Sequence, residues 1–320
     1  MKAWIPQLCD AQLQLKLADL PQPTPAPGEL LVRVRALGLN RAEMKLAAPS
    51  GASPQPPGLE MAGEVVAVGP DVVGFEAGDR VMGLCSGSYA EYVVANQQRL
   101  MRVPGTMDWA TAASLPLSVL TAYDALSSAG IAPGAVVYVN AASSGVGVMS
   151  WQIAQALGAR AVVGSSTAAR KLRVLSALGL QHPVEAAPEA VKSLVDEVSG
   201  GKGADILVDF VGGPQIGLHL DLAAVGARWV SVGRLGGLQG EIDLDRISYK
   251  RMHLVGATFR TRGHDDVSRI IAGATRDVLP LLSSGAIRYP IAARFAFPEM
   301  LAAREAMQNN QQVGKIVVTH

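Results

Sequence analysis

Short runs of alternating apolar and polar residues, separated by glycine- and proline-rich segments, make up roughly the first hundred residues of the chain. Residues 29–37 (ELLVRVRAL) alternate as a half-buried strand does, and 64–69 (EVVAVG) and 89–95 are further strand candidates. The segment 71–83 (DVVGFEAGDRVMG) carries three glycines between short valine-containing runs. The pattern therefore predicts a compact β domain in which glycine turns connect short strands.

From about residue 107 the spacing of the apolar residues becomes typical of helices. Two helical segments meet at Pro116, and strands then alternate with helices. The predicted strands are 135–140, 159–166, 204–212 and 227–233, and the predicted helices are 146–157, 168–178, 188–198 and 214–224. This alternation predicts a doubly wound α/β domain with a parallel sheet. After residue 263 we expect helices at 264–283 and 298–309, a strand at 288–297 between them, and a closing strand within GKIVVT.

The composition is that of a globular chain with no bias toward polyanions. It has 320 residues, more than one hydrophobic core usually spans, so two domains are expected. A formal net charge of +1 argues against a nucleic-acid partner, and no window is apolar enough to cross a membrane. The first residues lack an apolar leader segment, so a cytoplasmic location is expected. The five histidines are scattered and no cysteine–histidine spacing matches a zinc site, so no metal is expected.

The segment 139–158 (VNAASSGVGVMSWQIAQALG) follows a valine-rich strand and opens an apolar helix. A tight turn of small residues in that position is the context in which a glycine-rich loop binds a dinucleotide. Gly145 and Gly147 allow the backbone to approach a pyrophosphate at the positive end of the helix, although Ser144 stands where a further glycine would be expected. The alternative is an ordinary strand-to-helix turn, because glycine and serine are common in such turns.

The end of the next predicted strand distinguishes between two dinucleotides. Sites for NAD place an acidic residue there to bind the ribose 2′-hydroxyl, whereas this chain has GSST followed by AARK and no carboxylate. Ser165, Ser166, Arg170 and Lys171 supply the hydroxyl groups and positive charge that a 2′-phosphate attracts. A solvated helix face would also account for the two cations, but a cation at a helix N-terminus is mildly disfavoured unless an anion is near. The set therefore favours NADPH.

Several longer motifs have the order and spacing of a known family. They are GLNRAE (38–43), PGLEMAGEV (57–65), FEAGDRV (75–81), GSYAEY (87–92), LTAY (120–123) and GKIVV (314–318). With the loop at 142–147, they make the chain resemble the zinc-independent medium-chain dehydrogenase/reductases, specifically the quinone oxidoreductase group that includes zeta-crystallin. The match extends over nearly the whole chain.

The resemblance implies an α/β architecture with two domains. A GroES-like, β-rich catalytic domain would comprise residues 1–118 and 262–320, and a doubly wound Rossmann domain that binds NADPH would comprise 119–261. Members of the family transfer the nicotinamide hydride, without a metal, to a small acceptor such as a quinone or another conjugated carbonyl compound. The resemblance also implies a homodimer formed through the edges of two Rossmann sheets.

The resemblance assigns roles to residues at the matching positions. Asn40 would lie near the nicotinamide and the substrate carbonyl, with Glu43 as a second catalytic candidate; a loop-capping role is the alternative for Asn40. Glu60 and Glu64 lie in a segment typical of the family and are expected to be structural. Contacts to the cofactor are expected from Asn40, Thr121, Ser144, Gly145, Val146, Gly147, Ser165, Ser166, Arg170, Lys171, Gly233, Arg234, Phe259, Arg260 and Lys315.

Two departures from the family pattern bear on the substrate. Glu43 replaces the aspartate that is common there, and no aromatic residue occurs between Asn40 and Phe75, where many relatives have one. A quinone ring would then lack a stacking partner. Lys45, the third catalytic candidate, could instead polarise a carbonyl group or bind a carboxylate or a thioester phosphate; a solvated lysine is the alternative.

The leading hypothesis is an NADPH-dependent reductase of quinones or α,β-unsaturated carbonyl compounds. An enoyl reductase acting on a carrier-bound or coenzyme A thioester is the alternative that Lys45 and the missing aromatic residue favour. A protein of another class, which binds NADPH without turnover as a crystallin-like or sensor protein, would have the same loop. If the loop binds NADPH, replacing Ser144 with glycine should keep the affinity within about tenfold, roughly 1.4 kcal/mol.

Overall fold

The computed structural model describes residues 1–9, 12–44, 55–105 and 107–320. Contacts within the chain divide it into two compact units. The first comprises Met1–Leu117, Gly263–Ser283 and Pro290–His320, and the second comprises Ser118–Arg262 and Ser284–Tyr289. Residues Ser284–Tyr289 thus belong to the second unit, whereas the predicted limits place all of 262–320 in the first domain.

The strands and helices of the described residues are numbered in chain order. The strands are β1 (Lys2–Cys9), β2 (Gln12–Asp19), β3 (Glu29–Gly38), β4 (Glu60–Val68), β5 (Arg80–Leu84), β6 (Tyr92–Asn96), β7 (Leu100–Arg102), β8 (Val136–Val139), β9 (Ala161–Ser166), β10 (His182–Glu185), β11 (Ala204–Asp209), β12 (Ala223–Ser231), β13 (His253–Gly256), β14 (Ile291–Ala296) and β15 (Lys315–Thr319). The helices are α1 (Trp109–Ser114), α2 (Pro116–Ser128), α3 (Gly145–Ala156), α4 (Ala169–Leu178), α5 (Pro188–Ser199), α6 (Ile216–Leu222), α7 (Leu244–Lys250), α8 (His264–Asp277), α9 (Leu279–Ser283) and α10 (Met300–Gln308). A 3-10 helix, Arg41–Met44, follows β3.

Within the described residues, the first unit contains a seven-stranded sheet and the antiparallel pair β1–β2. The strand order of the sheet is β14-β15-β3-β4-β5-β7, and β6 also pairs with β3. Neighbouring strands are antiparallel except β14 and β15. The Trp4 indole NH donates to the Phe297 carbonyl oxygen over 3.0 Å. Residues from the two ends of the chain therefore complete one sheet and one core.

Six parallel strands of the described chain form the sheet of the second unit, in the order β10-β9-β8-β11-β12-β13. The chain proceeds from β8 outward to β10 on one side, and then from β11 outward to β13 on the other. All four residues of β8 (VVYV) are buried, as expected for a central strand covered on both faces. The predicted doubly wound parallel sheet is confirmed.

The sequence pattern missed six elements, which are β1, β2, β7, β10, α7 and β13. Strand β10 includes Pro183 and β13 is mostly exposed, so neither has the apolar run that indicates a buried strand. The predicted helix 264–283 divides into α8 and α9, because Pro280 has no backbone NH with which to continue the helical hydrogen bonds. The predicted strand 204–212 ends at Asp209, and Gly212 then has a positive φ of 61°.

Candidate active site

The carboxyl ends of β8 and β11 form the point at which the strand order of the parallel sheet reverses. Ligands of open α/β sheets bind in the crevice at that point, where the loops on the two sides lead to opposite faces. The predicted nucleotide loop, 142–147, follows β8 and leads into α3. The loop therefore lies where the topology of the sheet favours a ligand.

Ser144 is the N-cap residue of α3. Its hydroxyl oxygen accepts a hydrogen bond from the Gly147 amide at 3.0 Å, which satisfies one of the NH groups that lack a partner at a helix start. A Cβ atom on Gly147 would lie 2.9 Å from Ala142 Cα and still closer to the Ala141 carbonyl oxygen. Gly147 is therefore required for close packing of the helix on the turn, whereas Ser144 stabilises the start of the helix.

Replacing Ser144 tests this capping role. Ser144→Ala removes the acceptor, so we expect the free energy of unfolding to fall by about 1 kcal/mol, whereas Ser144→Gly should cost roughly 0.3 kcal/mol. Urea unfolding of both variants and the wild type measures the difference. An alanine variant as stable as the wild type would contradict the capping role.

Two buried serines end β9. The Ser165 hydroxyl lies 2.9 Å from the Tyr138 hydroxyl, and the Ser166 hydroxyl lies 3.1 Å from that of Ser143 in the nucleotide loop. Burial raises the pKa of Tyr138 to about 12, so its hydroxyl keeps its proton at neutral pH. The contact between Ser166 and Ser143 joins the end of β9 to the nucleotide loop.

The two predicted cations, Arg170 and Lys171, lie in the first turn of α4. Their surroundings differ although they are adjacent in sequence. Arg170 is exposed, whereas Lys171 is only 6% exposed. Arg170 is therefore the more accessible of the two to a phosphate group of a ligand.

Gly233 follows β12, and its amide donates to the Asp209 backbone oxygen at 3.0 Å. A Cβ atom on Gly233 would collide with the Phe210 carbonyl oxygen. The loops after β11 and β12 therefore lie against each other, at the same edge of the sheet as the nucleotide loop. The other predicted cofactor contacts of this unit are half-buried (Thr121, Gly145, Val146, Phe259) or exposed (Arg234, Arg260).

A buried polar cluster in the first unit holds Asn40 and Lys315 together. The Lys315 ammonium donates to the Asn40 side-chain oxygen at 2.6 Å and forms an ion pair with Glu60. The Asn40 amide nitrogen donates in turn to the same Glu60 carboxylate at 2.8 Å. Gly38 permits this arrangement, since a Cβ atom there would lie 2.6 Å from Glu60 Oε1 and 2.7 Å from Lys315 Cε. Each of the three side chains is more than nine-tenths buried.

Glu43 forms the second part of this cluster. Its carboxylate accepts hydrogen bonds from the backbone amides of Asn40 and Leu59, each at 3.0 Å, and from the Tyr89 hydroxyl at 2.7 Å. Burial raises the pKa of Glu43, and the hydrogen bonds from Tyr89 and Asn40 oppose that shift. Arg304 donates to the Glu43 carbonyl oxygen at 2.9 Å. The 3-10 helix that carries Glu43 is therefore held through both the side chain and the backbone carbonyl group of this residue.

Three residues singled out in the sequence, Asn40, Glu43 and Lys315, lie together in this cluster. Both ends of the Asn40 amide are bonded within it, so Asn40 is held more rigidly than a loop asparagine would be. Sequence reasoning missed Tyr89, although it lies in the GSYAEY motif, and Arg304, whose helical position predicts a solvated side chain. Lys45 lies outside the described residues.

No three His, Cys, Asp or Glu side chains of the described residues lie close enough to hold a metal ion together. No helix in that part of the chain combines the length and apolar composition that crossing a bilayer requires. Burial raises the pKa of the Cys85 thiol, which is therefore protonated at neutral pH.

Two family models match the chain. The model of the alcohol dehydrogenase GroES-like domain covers residues 26–105, and that of zinc-binding dehydrogenase covers residues 145–275. The human synaptic vesicle membrane protein VAT-1 homolog is 30% identical over 95% of this chain and 83% of its own length. The chain belongs to the medium-chain dehydrogenase/reductase family.

Within this family the chain is quinone oxidoreductase-like. Quinone oxidoreductase of Pseudomonas aeruginosa is 29% identical over 95% of this chain and 95% of its own length. The solved structure of mycobacterial Rv1454c complexed with NADPH has a TM-score of 0.84 and 28% identity, covering 96% of this chain and 95% of that one. The predicted family and the predicted pairing of a GroES-like with a Rossmann domain are confirmed.

Other relatives are much longer than this chain. It is 34% identical to erythronolide synthase EryA2 of Saccharopolyspora erythraea over 307 residues but spans only 8% of that protein. It spans 8% of the pikromycin synthase component PikAII of Streptomyces venezuelae and 5% of polyketide synthase GfsB of Streptomyces halstedii. The chain therefore corresponds to one segment of each of these proteins.

Proposed function

We propose that the chain is an NADPH-dependent oxidoreductase that transfers a hydride to a quinone or an α,β-unsaturated carbonyl compound without a metal. The observation that carries the proposal is the nucleotide loop at the reversal of strand order, together with a neighbouring strand end that has two serines and no carboxylate. The likeness to a quinone oxidoreductase and to a mycobacterial protein solved with NADPH supports it.

The second unit has the features that a nicotinamide dinucleotide requires. Helix α3 is 12 residues long, so its first NH groups carry the partial positive charge that attracts a pyrophosphate, and Gly147 lets the start of the helix pack closely on the turn. When bound, the cofactor supplies the hydride. We assign its 2′-phosphate to Ser165, Ser166, Arg170 and Lys171. Its remaining proposed contacts in this unit are Thr121, Ser144, Gly145, Val146, Gly233, Arg234, Phe259 and Arg260.

For the first unit we propose Asn40, Glu43 and Lys45 as catalytic residues and Lys315 as a cofactor contact. The Lys315 ammonium and the Glu60 carboxylate hold opposite ends of the Asn40 amide. A dipole fixed in this way stabilises charge that develops on a reacting group without first having to reorient. We therefore assign to Asn40 the orientation of the nicotinamide and the acceptor carbonyl.

NADPH oxidation with 1,4-benzoquinone, 9,10-phenanthrenequinone and simple enones tests the proposal. We expect NADPH absorbance to fall with at least one of these acceptors and to stay constant without an acceptor. Inactivity with every acceptor would overturn the assignment. Tight NADPH binding without any oxidation would favour a binding protein without turnover instead.

Arg170→Ala tests the cofactor preference. Loss of a charged hydrogen bond to the 2′-phosphate should raise the KM for NADPH by about 10- to 100-fold and leave the KM for NADH within about twofold. Steady-state kinetics with both cofactors measures the two values. Arg173→Ala removes an exposed arginine from the same helix and should change neither KM. An equal rise for NADPH and NADH would contradict the assignment of the phosphate to Arg170.

A second candidate is an enoyl-thioester reductase. It is favoured by the likeness to erythronolide synthase EryA2, in which the matching segment is a small part of a long chain. Crotonyl coenzyme A and a crotonyl pantetheine thioester in the same assay distinguish the two candidates. A kcat/KM for a thioester well above that for every quinone and enone would identify the thioester as the better substrate.

We also propose a homodimer formed through β13. This strand is at one edge of the six-stranded sheet, where it pairs with β12 alone among the described strands. Leu254 on β13 is 50% exposed, and Tyr249 at the end of α7 is 79% exposed. An edge strand with unpaired backbone groups and exposed apolar side chains can form hydrogen bonds with the same strand of a second copy. Sedimentation velocity at several protein concentrations tests this, and a monomer at every concentration would refute it.

A further inference from the structure

The carboxyl ends of β8 and β11 are joined by side chains as well as by the sheet. The Asn140 amide nitrogen donates to Asp209 Oδ1 at 2.5 Å, and the Phe210 backbone amide donates to the Asn140 side-chain oxygen at 2.7 Å. Asn140 is the first residue after β8, and Asp209 is the last residue of β11. We name this pair the Asn140–Asp209 clamp. It crosses the point at which the strand order of the sheet reverses.

Asp209 also organises the loops that follow β11 and β12. Its Oδ1 accepts hydrogen bonds from the amides of Val211 and Gly212 at 2.8 and 3.0 Å. Its backbone oxygen accepts from the amides of Val232 and Gly233 at 2.8 and 3.0 Å. The clamp thus connects both of these loops to Asn140, which lies two residues before the nucleotide loop, at the edge of the sheet where a ligand is expected.

One oxygen of the Asp209 side chain is buried without a hydrogen bond among the described residues. Asp209 and His219 are buried, and among the described residues neither Asp209 Oδ2 nor His219 Nε2, 3.7 Å apart, has a hydrogen-bond partner. Burial lowers the pKa of His219 despite the opposing effect of Asp209, so the imidazole is neutral at neutral pH. A buried polar atom without a hydrogen bond destabilises a fold, whereas an apolar side chain would pack there at less cost. This cost indicates that the hydrogen bonds of Asp209, rather than its packing, account for its presence here.

We propose that the Asn140–Asp209 clamp positions the nucleotide loop and the loops after β11 and β12 for the pyrophosphate and the nicotinamide half of the cofactor. The inference rests on the proposed function. Asn140 and Asp209 are positioning residues. Their hydrogen bonds hold the residues at the start of these loops, and we assign the cofactor contacts to the loops themselves. The adenosine half depends instead on residues at the end of β9 and the start of α4. Weakening the clamp should therefore reduce the affinity for the whole dinucleotide but spare that for its adenosine half.

Binding of NADPH and of 2′-AMP, which has the adenosine 2′-phosphate but neither the pyrophosphate nor the nicotinamide, separates the two contributions. Asn140→Asp preserves the size of the side chain but places a second carboxylate opposite Asp209, and the two repel each other. We expect the Kd for NADPH to rise at least about tenfold and the Kd for 2′-AMP to stay within about twofold. Asp209→Asn retains an acceptor for the three NH groups, so its Kd for NADPH should rise only about threefold.

The controls distinguish a positioning role from a general loss of structure. Asn309→Asp makes the same substitution at an exposed position of the first unit and should change neither Kd. If Asn140→Asp does not fold, Asn140→Ala removes both side-chain hydrogen bonds of Asn140 without adding charge and should show the same selective loss. Equal loss of both ligands, or unchanged NADPH affinity, would overturn the inference. Wild-type protein that binds neither ligand would overturn the proposed function, and the inference with it.

Discussion

Replacing Lys315 with methionine is expected to lower the free energy of unfolding of the first unit by about 3–5 kcal/mol. The Lys315 side chain is buried, and its ion-pair partner Glu60 is buried completely. Methionine fills much of the same space but leaves the carboxylate without its counter-charge, and an unpaired buried charge is strongly destabilising. The Asn40 side-chain oxygen would also lose its donor. Urea unfolding, with hydrogen exchange to resolve β3 and β15, measures the loss.

A surface ion pair provides the matched control for this variant. Lys192 pairs with Asp196 in α5, and its side chain is 49% exposed. Lys192→Met should change the free energy of unfolding by roughly 0.5 kcal/mol or less. The double variant Glu60→Gln/Lys315→Met removes both buried charges and should recover much of the loss. A single Lys315→Met variant as stable as the wild type would show that the ion pair does not stabilise the cluster.

The other large effect is expected from Gly147→Val, which should weaken NADPH binding by at least about 100-fold, roughly 2.8 kcal/mol. The new side chain would collide with the Ala141 carbonyl oxygen and with Ala142, so the start of α3 would have to move away from the turn. The NH groups that we expect to face the pyrophosphate would move with it. Titration calorimetry with NADPH measures the change in affinity.

Gly217→Ala is the control for Gly147→Val. Gly217 lies in α6, and a Cβ atom there would have nothing within 4 Å. Alanine has the higher helix propensity, so this variant should be at least as stable as the wild type and should bind NADPH normally. Circular dichroism establishes that both variants are folded. A folded Gly147→Val variant with wild-type affinity would exclude the loop as the nucleotide site.

The second unit was largely predictable because its signals are local. Each predicted strand is a short apolar run, and the turn at Ser144 lies between a strand and a helix that both have clear periodicity. The elements that escaped prediction have weak local signals. Strand β13 is a mostly exposed edge of four residues, and β10 includes Pro183. Tertiary pairing, rather than their own pattern, holds both in the sheet.

The polar cluster of the first unit was predictable only in part because its contacts are not local. Lys315 and Asn40 are 275 residues apart in sequence, and Arg304 contacts Glu43 across 261 residues. No periodicity links such pairs, so sequence motifs identified Asn40 and Lys315 separately but did not reveal their bond. The Asn140–Asp209 clamp escaped for the same reason, since each residue alone is an ordinary polar residue at a strand end.

The position of β15 has a consequence for how the protein folds as it is synthesised. All of the second unit leaves the ribosome before β15, the strand that pairs with the Ala36–Gly38 end of β3. The second unit can therefore form its parallel sheet while that part of β3 still exposes unpaired backbone groups. Exposed strand edges promote aggregation, and domains generally fold as units during synthesis. The time between synthesis of β3 and of β15 is thus an interval in which this strand edge can pair with another chain.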